Sequence, residues 1–454
     1  MTYQSVNPYT REILESYKTI TDRELFKSLN KAEIAFNKWS QTRFSDRAQL
    51  LNNAADLLEK EKMKHAGIIT SEMGKPIRQS IAEVEKCAWL CKYYAQHGEN
   101  YLRPIEIKST AKKSQVWFEP TGIIFAVMPW NFPYWQVFRF IVPNLVAGNT
   151  GLLKHASNVP RCGIAIEDLF NRSGAADGIF MNLFIDYKQA ETIISHYAVS
   201  GVTLTGSNSA GYKIAELAGK YGKKSVLELG GSDPYIVFES AEVEKSAETA
   251  VMARFQNNGQ SCIAAKRFFI QDTVFDAFLD LFKKAVWKIK TGDPMDPDTL
   301  IGPIAREDLL NELLGQIKEI KESGGEVITG GKTLHPDSNI LEPTIIINLA
   351  ADSKVLEQEL FGPIIPIFKF HSEEEVIHMA NNTPYGLGAS VWTTDTWQSS
   401  RVAARLTTGM VTINSMVKSE PSLPFGGVKA SGYGRELSEF GIREFMNIKT
   451  VSYN

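Results

Sequence analysis

The spacing of apolar residues changes near residue 100 of the chain. Between residues 22 and 99 apolar positions recur about every 3.6 residues, most clearly from 47 to 64, and this period predicts amphipathic helices. Ser45 is the predicted N-cap of the helix over 47–64, and the segment 72–76 should interrupt the helical region. From 101 to 118 apolar and polar residues alternate, which predicts an exposed β-hairpin arm.

Beyond residue 118, short apolar segments of strand length alternate with helical patterns. This alternation predicts α/β units with a mainly parallel sheet covered by helices. Two series follow each other, and the glycine pair Gly230-Gly231 is the predicted boundary. Residues 447–453 alternate again, like an edge strand. The predicted strands lie at 122–128, 150–154, 179–184, 201–205 and 225–229 in the first series, and at 267–271, 325–329, 364–369, 388–393 and 410–414 in the second.

Composition and charge exclude several classes of protein. The 454 residues are 43% hydrophobic and 22% charged, as in an ordinary soluble protein rather than a disordered or fibrous one. The net charge of −3 gives no reason to expect nucleic acid or an anionic membrane as the main partner. Four cysteines are too few for a disulfide framework in a chain of this length. The first residues lack signal-peptide features, so we expect a cytoplasmic protein with reduced thiols.

Common cofactor and metal motifs are missing from the sequence. The run 206–211 has glycines at phosphate-loop spacing but continues Tyr212-Lys213, so it is no Walker A motif. Gly432-Tyr433-Gly434 does not continue as a dinucleotide fingerprint. The seven histidines show no metal-ligand spacing, and there is no H-E-x-x-H motif. We therefore expect no metal site.

Three segments carry residues suited to catalysis. Cys262 follows a helix among small polar residues that would leave its sulfur accessible as a nucleophile, although a lone cysteine is more often buried and inert. Glu228 ends an apolar strand before two glycines, where a desolvated carboxyl could act as a general base or form a structural ion pair. Asn131 follows another strand, where its amide could bind an oxyanion or cap a Pro-bounded loop.

Taken together and in this order, the three segments resemble the aldehyde dehydrogenase superfamily. The resemblance covers essentially the whole chain and includes five further segments, at 72–76, 205–207, 359–363, 384–387 and 424–432. It implies an α/β aldehyde dehydrogenase-like fold in three parts. These are a Rossmann-like cofactor-binding domain at 1–100 and 119–230, a catalytic domain at 231–425, and an oligomerisation arm at 101–118 with the C-terminal segment 426–454.

The resemblance also implies the catalytic roles and favours them over the structural alternatives. The Cys262 thiolate would attack the aldehyde carbonyl, and the oxyanion would be held by the Asn131 amide and the Cys262 backbone N–H. Hydride transfer to the nicotinamide would leave a thioester. Glu228 would activate the water that hydrolyses it, and is also a candidate to deprotonate the thiol.

The choice of cofactor depends on the residue three positions after Lys154. The family reads the adenosine ribose with a lysine just after a strand, often with a glutamate three residues on. Here that position is Ser157, and a hydroxyl beside a lysine can accept a 2′-phosphate that a carboxylate would repel. We therefore expect NADP to be preferred over NAD. The resemblance implies further cofactor contacts from Trp130, Gly206, Ser207, Glu359 and Phe361.

The substrate is less strongly indicated. Arg139 lies eight residues after Asn131 in an otherwise apolar helix and could bind a carboxylate, or pair with an acidic residue at a subunit surface. Arginine at this spacing resembles the succinate-semialdehyde dehydrogenase branch. Some members carry an arginine where this chain has Gln256, and a second cysteine where it has Ala264. Other candidate substrate residues are Trp135, Ser261 and Ser419.

Alternatives within and outside the enzyme class remain. One is a dehydrogenase for other semialdehydes or for aldehydes in general. A CoA-acylating enzyme usually lacks the glutamate that Glu228 matches, and a non-enzymatic protein on an inherited scaffold would have lost some of Cys262, Glu228 and Asn131. The arm at 101–118 and the C-terminal strand would be unpaired edges in a monomer, so we expect a homodimer or homotetramer.

Overall fold

The computed structural model describes residues 2–350 and 352–454. Helices in these ranges are α1 (Asp22–Trp39), α2 (Phe44–Lys60), α3 (Lys62–Met73), α4 (Ile77–Leu102), α5 (Trp135–Ala147), α6 (Pro160–Arg172), α7 (Tyr187–Ser195), α8 (Asn208–Lys220), α9 (Val243–Phe255), α10 (Phe275–Trp287), α11 (Glu307–Glu322), α12 (Glu373–Asn381), α13 (Thr396–Arg405) and α14 (Ser438–Arg443). Strands are β1 (Thr2–Val6), β2 (Ile13–Lys18), β3 (Ile105–Ile107), β4 (Lys113–Pro120), β5 (Ile123–Met128), β6 (Thr150–His155), β7 (Phe180–Asn182), β8 (Val199–Thr205), β9 (Lys224–Glu228), β10 (Asp233–Val237), β11 (Ala265–Gln271), β12 (Glu326–Thr329), β13 (Thr344–Ile347), β14 (Ile364–Phe370), β15 (Ser390–Trp392), β16 (Thr412–Ile413), β17 (Gly432–Tyr433) and β18 (Met446–Tyr453).

Helices α1 to α4 form the N-terminal helical region, with bounds that differ slightly from the predicted ones. Helix α2 begins at Phe44 with Arg43 at the N-cap position, so the predicted N-cap Ser45 lies inside the first turn. The Arg43 guanidinium instead pairs with Asp46, at 2.9 Å, across that turn. Helix α3 ends at Gly74, whose φ of 75° suits glycine at a left-handed C-cap.

The first sheet orders its strands β17-β9-β8-β5-β6-β7. Strands β9, β8, β5, β6 and β7 are parallel to their neighbours, and only β17 runs antiparallel. The carboxyl ends of parallel strands meet at one edge, where ligands of open α/β sheets bind. This edge places the loop after β5, the turn after β8 and the end of β9 side by side.

The second sheet orders its strands β12-β13-β14-β11-β10-β15-β16, and all pairs except β12 with β13 are parallel. Neighbouring residues of β11 pack on opposite faces of this sheet. Phe268 packs against Phe278 and Phe282 of α10, whereas Phe269 belongs to a buried cluster with Ile317 of α11. Both faces are therefore covered, as expected for a parallel sheet. The mixed α/β class predicted for the chain is confirmed.

A third, antiparallel sheet has the order β18-β4-β3. We expected the arm and the C-terminal strand to be unpaired edges of a monomer, and this needs one correction, because the two pair with each other, from Met446 opposite Pro120 to Tyr453 opposite Lys113. The outer edges are those of β3 and β18. Ile107 and Ile448 on these strands are exposed.

The sequence patterns failed to predict several helices and strands. The N-terminal hairpin of β1 and β2, strands β10 and β13, and helices α12 to α14 were not predicted. Strand β17 lies in the predicted arm segment 426–454, yet it pairs with β9 of the first sheet. The division into domains stays a prediction. In the two ranges described, no helix combines the length and the apolar character needed to cross a bilayer.

Candidate active site

The loop that carries Cys262 is fixed by two asparagines between α9 and β11. Asn257 and Asn258 both have φ of 58°, a left-handed conformation that asparagine tolerates better than most residues. The Asn258 amide donates to the Gly74 carbonyl at 3.0 Å, and the Asn257 amide donates to the Asn131 carbonyl at 2.7 Å. The cysteine loop and the Asn131 loop are thereby tied together, although they are far apart in sequence.

Cys262 lies between two cavities. Cavity A, of about 540 Å³, is lined by residues that include Trp130, Asn131, Gly206, Ser207, Glu359 and Phe361. Cavity B, of about 490 Å³, is lined by residues that include Lys86, Trp135, Arg139, Ser261 and Ser419. Cys262 and Gln136 line both. A group bound in either cavity can therefore reach the thiol.

Asn131 holds its amide in one orientation beside Cys262. Its Oδ1 accepts a hydrogen bond from Gln136 Nε2 at 3.1 Å, and its Nδ2 donates to the Gln260 carbonyl at 3.0 Å. An amide nitrogen carries two hydrogens, so the second one remains available to an oxygen bound at Cys262. This arrangement fits a preorganised oxyanion donor.

The Cys262 thiol is neutral near pH 7. Burial raises the pKa of this thiol to about 12, although the positive charges of Arg139 and Lys266 oppose the shift. Lys266 Nζ also donates to the Cys262 backbone carbonyl at 2.7 Å. Since the thiolate is the nucleophile, attack requires a base to remove the proton.

Glu228 ends β9 with a buried carboxyl group, and among the described residues neither of its oxygens has a hydrogen-bond partner. Burial raises the pKa of this carboxyl well above its usual range, and the negative charge of Glu436 raises it further, against the opposing charge of Arg139. The carboxyl lies against Gly426, where an added Cβ would come within 2.8 Å of Oε1. Glu228 is not among the residues named in the wall of either cavity, so it stands behind the wall near Cys262.

Side chains at one end of cavity A form a connected group. The rings of Trp130 and Phe361 meet edge to face, with centroids 5.8 Å apart. Glu359 Oε1 accepts from the Gly231 backbone N–H at 3.1 Å and lies 3.2 Å from Lys266 Nζ. The structure therefore brings three of the predicted cofactor residues together around one cavity.

Backbone forms another part of the wall of cavity A. Ser207 is the N-cap of α8, and its hydroxyl accepts from the Ala210 N–H at 3.4 Å. A Cβ added to Gly206 would meet only Leu204, at 3.6 Å, so the glycine leaves open space beside the helix terminus. Exposed backbone N–H groups at a helix N-terminus suit a phosphate group.

The predicted adenosine-ribose residues lie outside the named walls of cavities A and B. Lys154 is inside β6 rather than just after a strand, and its ammonium lies 5.5 Å and 5.6 Å from the ring centroids of Tyr3 and Tyr187. In the described ranges no carboxylate lies within 4.0 Å of this ammonium, and burial lowers its pKa. Ser157 lines a separate cleft of about 360 Å³.

Arg139 already has a carboxylate partner inside the protein. Its guanidinium forms a buried ion pair with Glu436, donates to Thr205 Oγ1 at 3.3 Å and lies 4.2 Å from the centre of the Phe425 ring. The arrangement agrees with the structural alternative for Arg139, except that the acidic partner belongs to the same chain. The predicted role of Arg139 in holding a substrate carboxylate stays a prediction.

Sequence patterns missed several residues around the site. His155 Nε2 lies 2.9 Å from the Pro133 carbonyl, and its Nδ1 accepts from the Ala156 N–H at 2.9 Å, so the ring links the end of β6 to the Asn131 loop. Burial lowers the pKa of His155 to about 4. Lys86, Gln136 and Lys266 were also missed. A lysine in an amphipathic helix ordinarily indicates a solvent-facing position, so the sequence pattern gave no reason to place Lys86 at the site.

Across residues 2–350 and 352–454 no three His, Cys, Asp or Glu side chains cluster in a way that could hold a metal.

Comparison with known proteins places the chain in a family. The aldehyde dehydrogenase family matches residues 1–451, and the chain belongs to that family. It is 43% identical, over 99% of both chains, to a probable NADP-dependent succinate-semialdehyde dehydrogenase of Synechocystis sp.. It is also 43% identical, again over 99% of both chains, to succinate-semialdehyde dehydrogenase [NADP(+)] 1 of Mycobacterium tuberculosis. The crystal structure of succinic semialdehyde dehydrogenase from Streptococcus pyogenes with NADP+ superimposes with a TM-score of 0.97, at 39% identity over 99% of both chains.

Proposed function

We propose that this protein oxidises succinate semialdehyde to succinate, with NADP+ as the hydride acceptor. The observation that carries the proposal is the position of Cys262 in the walls of two separate cavities, with Asn131 beside it. One cavity can hold a nicotinamide and the other an aldehyde. The substrate is proposed because relatives 43% identical over the full chain bear that enzyme's name.

The first step forms a bond between the Cys262 sulfur and the aldehyde carbon. A base takes the thiol proton, and Glu228 is the nearby carboxyl with a raised pKa. The carbonyl oxygen becomes an oxyanion, which the Asn131 amide and the Cys262 backbone N–H stabilise. One such donor lowers the barrier by about 3 kcal/mol.

Bound NADP+ would supply the hydride acceptor, and loss of a hydride from the carbon attached to Cys262 would leave a thioester on the sulfur. Glu228 releases the thiol proton to solvent and then removes a proton from a water molecule that attacks this thioester. The bond between carbon and sulfur breaks, succinate forms, and Cys262 recovers its proton. A carboxyl with a raised pKa suits both proton transfers, because it binds and releases a proton nearer to neutral pH.

Cavity A and the α6 side of the first sheet are the proposed NADP site. Gly206 and Ser207 offer backbone beside the α8 terminus, while Glu359 and Phe361 would hold the nicotinamide ribose. Lys154 and Ser157 would bind the 2′-phosphate, because the lysine is a cation without a carboxylate partner within 4.0 Å in the described residues. The NADP-bound relative from Streptococcus pyogenes supports this choice.

We further propose a cytoplasmic homodimer or homotetramer. The four cysteines are free, which suits a reducing compartment. The outer edges of β3 and β18 carry exposed apolar residues, and an exposed sheet edge can pair with another subunit. In this proposal 101–118 and 426–454 form the assembly arm, 1–100 and 119–230 the cofactor-binding domain, and 231–425 the catalytic domain.

Initial rates with succinate semialdehyde and with butanal, each with NADP+ and NAD+, test the proposal. We expect the highest kcat/KM with succinate semialdehyde and NADP+. Cys262→Ala should abolish hydride transfer with every pair, while the thermal unfolding midpoint stays close to that of the parent protein. Equal or higher kcat/KM with butanal would contradict the substrate assignment and leave an aldehyde dehydrogenase of broader specificity.

A further inference from the structure

We propose that the Lys86 ammonium in cavity B binds the carboxylate of the substrate and sets the preference for aldehydes that carry an acid group. The inference rests on the proposed function, since it assigns the specificity-determining residue of the same site. It also differs from the sequence-based expectation, which gave that role to Arg139.

The position of Lys86 is the first observation. Lys86 lies on α4 and lines cavity B together with Cys262. Its Nζ donates to Ser419 Oγ at 2.8 Å and lies 4.1 Å from the centroid of the Trp135 ring. The ammonium is therefore held at the wall of the cavity by a hydroxyl and an aromatic face, both of which are neutral.

The second observation is a contrast among the cations near Cys262, three of which are buried while Lys86 is half-buried. Lys75 pairs with Glu83, Arg139 pairs with Glu436, and Lys266 lies 3.2 Å from Glu359 Oε1. In the part of the chain that the structure describes, no carboxylate oxygen lies within 4.0 Å of Lys86 Nζ. Lys86 itself is half-buried, and a partly desolvated charge gains from an opposite charge beside it, so an anionic ligand in cavity B would be a suitable partner.

The surroundings of Lys86 keep it charged but close to its titration range. Burial and the positive charge of Arg139 on α5 lower the pKa of Lys86 to about 8, against the opposing charges of Glu83 and Glu420. The ammonium is thus mostly protonated at pH 7. A bound carboxylate would stabilise that form further.

Ser419 completes the proposed carboxylate site. Its oxygen accepts from Lys86, which leaves the hydroxyl proton free to donate to a second carboxylate oxygen. Ser261 contributes another hydroxyl to the wall of cavity B. Succinate semialdehyde carries its carboxylate and its aldehyde at the two ends of a four-carbon chain, so a carboxylate held at Lys86 would leave the aldehyde in the cavity that Cys262 also lines.

Substitution at Lys86 tests the inference through substrate discrimination. In Lys86→Met, the ratio of kcat/KM for succinate semialdehyde to that for butanal should fall about 10- to 100-fold, as expected for a lost charge-assisted hydrogen bond. The loss should appear mainly in KM for succinate semialdehyde. Lys86→Arg should recover most of the ratio. Lys92→Met is the matched control, because Lys92 lies on the same helix and forms a surface pair with Glu59 at 2.7 Å.

A binding measurement separates recognition from catalysis. Calorimetric titration with succinate should show binding to the parent protein, loss of affinity in Lys86→Met and retention in Lys92→Met. In the parent, affinity should fall as pH rises through about 8, because the ammonium then loses its proton. In Lys86→Arg this fall should disappear. Lys86→Gln replaces the methionine variant if that one does not fold.

The outcomes distinguish this inference from the proposed function. If the parent prefers succinate semialdehyde and Lys86→Met keeps that preference, the assignment of Lys86 is wrong and the proposed function stands. If the parent lacks the preference, the proposed function fails, and succinate binding that depends on Lys86 would still support a carboxylate site. Succinate binding that is unchanged in Lys86→Met would overturn the inference in either case.

Discussion

Cavities A and B meet at Cys262 but are built from different parts of the chain. Much of the wall of cavity A comes from the ends of neighbouring strands and from backbone, as at Gly206 after β8 and Gly230 after β9. Cavity B is walled mainly by side chains of α4, α5 and the segment 416–420, including Lys86 and Arg139. The first surface follows from the sheet, whereas the second depends on which side chains the helices happen to present.

This difference predicts that the two cavities tolerate change differently. A strand-end wall offers backbone groups that almost any sequence of the fold would offer, so the proposed cofactor side should be common to a family. A wall of charged side chains can be altered one residue at a time without disturbing the sheet. Substrate choice should therefore depend on few residues. The substitutions below test which residues affect one cavity alone and which affect the reaction that both cavities share.

Glu228→Gln should have the largest effect, because it acts on the chemistry that both cavities share. We expect the steady-state rate to fall about 10²- to 10⁴-fold, as for the loss of a general base. If another base can deprotonate the thiol, the thioester should accumulate because its hydrolysis is slow. One NADPH per site should then form in a rapid burst. Rapid-mixing absorbance measures both phases.

The pH profile sharpens the same test. The pKa of Glu228 is raised, so the carboxyl is protonated at low pH and thioester hydrolysis should speed up as pH rises and the base form appears. In Glu228→Gln this rise should vanish. Glu216→Gln, on the exposed face of α8, serves as the control and should keep the parent profile. A parent rate independent of pH would contradict the role of Glu228.

Arg139→Met should mainly destabilise the protein rather than alter discrimination between substrates. The change leaves Glu436 buried without its partner, and breaking one side of a buried pair typically costs about 3 to 5 kcal/mol. We expect a lower unfolding midpoint and losses of similar size for succinate semialdehyde and butanal. Chemical denaturation and paired kinetics measure the two effects. A selective loss of succinate semialdehyde with unchanged stability would return the substrate clamp to Arg139.

Ser157→Glu should change the proposed 2′-phosphate site in the separate cleft beside Lys154 and leave cavity B alone. A carboxylate beside the bound 2′-phosphate would repel it, so the preference for NADP+ over NAD+ should fall about 10- to 100-fold. KM for succinate semialdehyde should change little. Ser157→Ala, which removes the hydroxyl without adding charge, is the matched control and should have a smaller effect. An unchanged cofactor ratio in Ser157→Glu would show that Ser157 does not contact the 2′-phosphate.

His155→Gln should have the smallest effect, visible as pH-dependent stability. Burial lowers the pKa of His155 from 6.5 to about 4, so the unfolded chain takes up a proton first as pH falls. The stability contribution of this neutral ring is present above the unfolded pKa and is lost between pH 6.5 and 4, by about 1 kcal/mol near pH 5.5. Denaturant titrations from pH 8 to 5 should show that the free energy of unfolding falls less steeply with falling pH in the variant than in the parent. An identical pH dependence of this free energy in both proteins would contradict the titration of His155.

Particular residues show how far the sequence could be interpreted. The alternation of patterns beyond residue 118 predicted strands close to β5, β6, β8 and β9, because buried parallel strands are continuous apolar runs. Strands β10 and β13 were missed, and so was the hairpin of β1 and β2, whose second strand is mostly exposed and carries little apolar signal. The start of α2 was misplaced because the Arg43–Asp46 pair, rather than a serine cap, marks its first turn.

Fold class and family could be inferred from the sequence, because strand periodicity and ordered motifs around Cys262, Glu228 and Asn131 are local properties of the chain. The partner of each charged residue could not, since it depends on how the chain folds. Glu436 lies nearly 300 positions from Arg139 and still forms an ion pair with it. Ser419 accepts a hydrogen bond from Lys86, which is 333 positions away in the sequence. Pairing of charges depends on distance and burial in three dimensions, and these quantities have no signature in the spacing of residues along the chain.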